Sequence, residues 1–85
     1  MKPQSIIRIA LTDDHTILRS GLRLIISKWK EFEVVIEAAN GKDLISQLEQ
    51  ADSLPHICLL DIDMPIMNGY DTLAVLSKKW PEIHM

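Results

Sequence analysis

One cysteine, Cys58, is the only thiol in this 85-residue chain. It cannot close an internal disulfide, which excludes a stapled secreted scaffold and points to a reducing cytoplasm. An excess of base is missing too, since 9 Lys and Arg stand against 12 Asp and Glu, for a formal charge of −3. Binding nucleic acid takes clustered cations against the phosphates, so the chain itself is not expected to bind it. Long apolar runs are absent. The longest hold four residues, as in Ile57-Cys58-Leu59-Leu60, whereas a membrane-spanning helix takes about 20. Arg8 interrupts the only N-terminal candidate for a signal peptide's apolar core. No repeat, low-complexity tract or linker-like stretch occurs. What remains, 47% hydrophobic and 25% charged residues, is the balance of a soluble globular domain. The length supports one such domain.

The β-branched run Ile6 to Leu11 reads as a first strand. Thr12-Asp13-Asp14 follows and can cap a helix. From His15 to Trp29, Leu18, Leu22, Ile25 and Trp29 recur at three and four, one face of an amphipathic helix. Gly21 inside it costs about 1 kcal/mol relative to alanine; a close helix–strand approach or plain tolerance could account for it. Val34-Val35-Ile36 reads as a second strand. Asn40 to Asp43 has the cap-plus-acid pattern of a helix start, with Leu44, Ile45 and Leu48 on the buried side and an end before Leu54-Pro55. Ile57 to Leu60 reads as a third strand. It shows no polar alternation, so both its faces should be covered, as in a parallel sheet. Asp61 to Gly69 is a loop. Asn68 and Asp71 repeat the helix-start pattern, and that helix runs to about Trp80, where Pro81 ends it. Glu82 to Met85 can begin a fourth strand. Strands alternating with helices imply right-handed crossovers and a parallel sheet, whose chemistry gathers at the carboxyl ends of its strands.

The carboxylates follow that rule. Asp13 and Asp14 stand just past the first strand, Asp61 at the end of the third, and Asp63 two residues on. With those two strands adjacent, the acids converge and raise one another's pKa. They must share a proton or bind a cation. Hard oxygen donors with some water suit Mg²⁺. A cation there would draw in a phosphate, with Asp61 placed to become an aspartyl phosphate. Taken singly, Asp13 or Asp14 could equally be a helix cap, and Asp61 a loop residue.

Asp13-Asp14, Leu59-Leu60-Asp61 and the run Met64-Pro65-Ile66-Met67-Asn68-Gly69 together resemble the receiver domain of two-component response regulators. The stretch Asp14 to Leu22 is similar to the branch whose receivers precede a helix-turn-helix DNA-binding domain. The resemblance covers residues 6–85. It implies an α/β fold: a partial flavodoxin-like, doubly wound parallel sheet in strand order 2-1-3, with a fourth-strand stub. It makes residues 1–85 the N-terminal part of one receiver domain, without an output domain. Asp61 is then the phosphoacceptor. Asp14 ligates Mg²⁺ directly, Asp13 largely through water, and the backbone carbonyl of Asp63 completes the protein ligands alongside Asp61. Pro65 and Gly69 shape the loop. The donor is a phosphohistidine of a partner sensor histidine kinase, so the chain accepts phosphate on its own aspartate and is not a turnover enzyme. His15 reads as a first-turn helix residue, and Cys58 as inert core.

Receivers of this kind have five strands. Against that pattern the chain lacks the hydroxyl residue of strand four and the lysine and aromatic of strand five, which leaves its own phosphorylation in question. Strand three becomes an edge and the first helix keeps apolar surface exposed. A homodimer or domain swap through that edge is the expectation. Two other readings compete. Leu59 to Asp63 also resembles the Asp-x-Asp start of haloacid-dehalogenase-like phosphatases, which leaves Asp13-Asp14 and Met64 to Gly69 unexplained. A non-phosphorylated interaction module is the third.

Overall fold

The computed structural model describes residues 6–62 and 64–85. Six elements follow in the order β1 (Ile7–Thr12), α1 (Thr16–Ile26), β2 (Phe32–Ala38), α2 (Gly41–Gln50), β3 (Ile57–Leu60) and α3 (Gly69–Lys79). The three strands form one parallel sheet in the order β2-β1-β3. The alternation and the 2-1-3 order are therefore as the sequence implies. His84 forms a parallel bridge to Ile57, with the Cys58 N–H donating to the His84 carbonyl at 2.7 Å, so the last residues do lie as a further strand would.

The sheet is packed on both faces. Ala10, Ile36, Ala38 and Cys58 meet Leu44 and Leu48 of α2, Leu76 of α3 and Ile83. Ile9 and Leu11 meet Ile26 of α1, flanked by Leu22, Phe32, Val34 and Ile57. β1 alternates between the two sides, as a strand with helices on both faces must. β2 changes its inward side midway. Ile9 pairs with Val34 but Ala10 with Ile36, so Val35 is an extra residue and the side chains beyond it turn to the opposite face.

β2, α1 and β3 each depart from the sequence reading. β2 is longer than Val34 to Ile36, because Glu33 faces solvent from within the strand and Glu37 pairs with Arg19 and Arg23 of α1, so neither ends it. α1 stops at Ile26, where Ser27 turns its hydroxyl to the Leu24 carbonyl at 2.7 Å. Its buried stripe is Leu22 and Ile26; Leu18, Ile25 and Trp29 stay about half exposed. β3 is covered unevenly, with Ile57 packed beside Ile9 and Leu11. Cys58 is buried, but Leu59 is 42% exposed, because α1 lies over β1 and β2 and leaves the outer strand open.

The helix starts explain themselves locally. Asn40 and Asn68 accept from the backbone N–H groups of Asp43 and Asp71, each at 2.9 Å, as their cap positions require. α1 differs. Its cap position is His15, with no side-chain capping bond, so Thr12-Asp13-Asp14 is not its cap and His15 is not in its first turn.

Candidate functional site

Both acidic segments leave the sheet while still bonded to it. The Asp13 N–H donates to the Ala38 carbonyl and the Asp61 N–H to the Thr12 carbonyl, both at 3.0 Å. Each aspartate is thus fixed one step past the carboxyl end of its strand. The result is a single cluster: one donor atom from each of Asp13, Asp14, His15 and Asp61, all within 4.8 Å of one another. The three carboxylates that the sequence nominates are brought together. Asp63, nominated for its carbonyl, lies outside the described residues.

Asp13 is the anchor. Its Oδ1 accepts the His15 backbone N–H at 2.8 Å and meets His15 Nδ1 at 2.9 Å. An ionised carboxylate can only accept, so Nδ1 carries the proton in this arrangement. Burial alone would push the Asp13 carboxyl up. The His15 backbone and ring hydrogen bonds, with the charges of His15 and Arg19, together hold it below the ordinary carboxylate value. The Asp13 side-chain bond, with the nearby Asp14 and Asp13 charges, lifts His15 above the ordinary imidazole value. Arg19 donates to the Asp13 carbonyl, and its Nε reaches Glu37 Oε1 at 3.4 Å. His15 and Arg19 are the site-shaping residues that sequence reasoning missed. Their spacing carried no signal, because the turn that folds the His15 ring back is made by Asp13 itself.

The loop after β3 is held by backbone. The Gly69 N–H donates to the Ile62 carbonyl at 2.8 Å, and a Cβ on Gly69 would fall 2.5 Å from the Asp61 carbonyl oxygen and 2.6 Å from Ile62 Cα. No side chain fits there, so α3 can start directly against the loop that carries Asp61. Within that loop Ile66 is left-handed, at φ 67°. A cleft of about 290 Å³ opens beside the cluster on the α1 side, between Arg19, Leu22 and Leu59.

The donor set suits a hard divalent cation. Asp14 Oδ1 is sealed from solvent and accepts no hydrogen bond, although His15 Nδ1 is 3.2 Å away. A sealed carboxylate oxygen without a donor is costly. Oxygen ligands of this kind are what Mg²⁺ takes while keeping some of its water.

Comparison with known proteins agrees with this geometry. Residues 9–85 match the family described as response regulator receiver domain. The chain is 43% identical over 79 residues to the nitrate/nitrite response regulator protein NarL of Escherichia coli (strain K12), spanning 93% of this chain and 36% of NarL. Among solved structures it is similar to the response regulator domain of Thermotoga maritima CheB, with TM-score 0.81, 30% identity, and coverage of 89% and 55%. The receiver domain of the putative response regulator NarL from Mycobacterium tuberculosis gives TM-score 0.79, 29% identity, and coverage of 88% and 59%. The chain thus spans about a third of the length of the curated relative.

Proposed function

The chain belongs to the response regulator receiver family of two-component systems, and we propose that it accepts a phosphoryl group on Asp61 from a sensor histidine kinase. The observation that carries this is the meeting of Asp13, Asp14 and Asp61 at the ends of two adjacent strands. An Asp61 carboxylate oxygen attacks phosphorus, the P–N bond to the kinase imidazole breaks, and an acyl phosphate results. Asp13, Asp14 and Asp61, with the Asp63 carbonyl, would hold Mg²⁺, which shields charge building on the phosphoryl oxygens. Arg19 holds the Asp13 backbone, and Gly69 lets α3 pack against the Asp61 loop. The family is generally non-enzymatic, and this chain is read as a phosphoryl acceptor with no turnover of its own.

Treatment with acetyl phosphate and Mg²⁺ should add one phosphate by mass, and Asp61→Asn should abolish it. Phosphate on another residue would overturn the assignment. The phosphatase reading is not favoured, because it gives Asp13 and Asp14 no task.

The kinase, a cytoplasmic location, and contact with DNA only through an output domain belong to the same proposal. No helix among the described residues is long and apolar enough to cross a membrane. A second copy is the proposed cover for the outer edge of β3, where Leu59, Ile62 and, from α3, Tyr70 and Leu73 line an apolar hollow.

A further inference from the structure

We propose that Arg19 is a positioning residue for the acidic site, held by Glu37 of β2 against the Asp13 carbonyl, and that it sets how tightly the folded chain takes Mg²⁺. The inference rests on the acidic site argued above and deepens it. The peptide before Asp13 is fixed by the sheet, its N–H donating to the Ala38 carbonyl at 3.0 Å. The peptide after it lies past the end of β1. There Arg19 takes over, with Nη1 donating to the Asp13 carbonyl. That carbonyl and the Asp14 N–H share one rigid plane, so fixing the first fixes where Asp14 begins.

The helix explains the reach. Side chains on a helix lean toward its N-terminus, and Arg19 is the fourth residue of α1, so it extends back over the turn before the helix. That turn needs a tie, because α1 starts without a side-chain cap bond at His15. A guanidinium is a rigid planar fork. While Nη1 holds the carbonyl, Nε reaches Glu37 Oε1 at 3.4 Å. Glu37 is steadied in turn by Arg23, whose Nε stands 3.3 Å from Oε2. The Arg19 side chain is only 16% exposed, unlike a solvated surface pair. Glu37 also offsets a positive charge that would otherwise oppose a cation nearby.

Two rival roles predict other results. As a plain ion pair between α1 and β2, Arg19 would add stability and leave the Mg²⁺ affinity of the folded chain unchanged. As a bare charge it would oppose the cation, and its removal would tighten binding. The test is calorimetric Mg²⁺ titration of the chain, Arg19→Met and Arg19→Lys, each first shown to be folded by thermal unfolding. Amide exchange at Asp13 and His15 is followed in the metal-free state. We expect Arg19→Met to weaken Mg²⁺ about tenfold or more, since groups that hold a metal ligand in place are worth about 10–100-fold. Exchange at His15 should quicken. Arg19→Lys keeps the charge without the fork, so its affinity should fall by a smaller factor. Unchanged or tighter binding in these variants would overturn the positioning role while leaving the acidic site standing. Where Arg19→Met does not fold, Arg19→Lys decides on the same terms. If the unaltered chain binds no Mg²⁺, the acidic-site reading itself falls and this inference with it.

Discussion

Ile66 holds a backbone conformation that β-branched residues avoid, at φ 67° with its side chain 78% exposed. The left-handed region costs an L-residue about 1–2 kcal/mol, and exposure returns no packing. Glycine would relieve this but lose more entropy on folding, about 0.4–1 kcal/mol. Ile66→Gly should therefore stabilise the chain by up to about 1 kcal/mol in urea unfolding. Cys58 shows the reverse economy. Burial pushes its thiol above the ordinary 9.0, only partly offset by the Thr12 hydroxyl. The fold favours the neutral thiol, so that contribution is whole below the ordinary value and is lost as pH climbs through it. Stability should fall above pH 9 in the chain and less so in Cys58→Ala, measured by thermal unfolding. At this scale the sequence was informative about the acids, because a carboxylate just past a strand can be placed without coordinates. It was silent on His15 and Arg19, whose roles depend on how the Asp13 turn closes.

The glycines separate two kinds of helix position. Gly69 starts α3 against backbone atoms that cannot retreat, so Gly69→Ala should destabilise by about 1–3 kcal/mol, as overpacking does. It should also disturb the Asp61 loop. Gly21 has open space where a Cβ would stand, so plain tolerance is the reason it is there. Gly21→Ala should stabilise by about 1 kcal/mol through helix propensity. Denaturant melts of the two variants should move in opposite directions. Caps at Asn40 and Asn68 were readable because that chemistry is local. The reach of β2 was not, because Glu33 and Glu37 look like strand breakers until the solvent side of one and the α1 partners of the other are known, and a bulge at Val35 follows no local rule.

Across the whole molecule the two sides of the sheet differ. The α2–α3 side is closed over a continuous core, while the α1 side leaves Leu59, Leu18, Ile25 and Trp29 partly open. Apolar surface beside a strand edge favours association. Light scattering after size exclusion should show a dimer whose population grows through the micromolar range, and Leu59→Lys should shift it to monomer. Leu59→Lys should cost the monomer within about 0.5 kcal/mol, as an exposed change does. A monomer at every concentration would sink this reading. The alternation of strands and helices made the architecture legible from sequence. Which face of β3 stays bare was not, because it depends on where α1 comes to rest.

The Gly41 N–H donates to the Met67 carbonyl at 3.3 Å, and the Gly69 N–H to the Ile62 carbonyl at 2.8 Å. The first residues of two helices are thus tied to opposite ends of one short stretch, the stretch that begins beside Asp61. Any movement of that stretch pulls on both tethers at once. A shift of that stretch should therefore register at both helix starts, as amide resonance changes at Gly41 and Gly69 together when the acidic rim is perturbed.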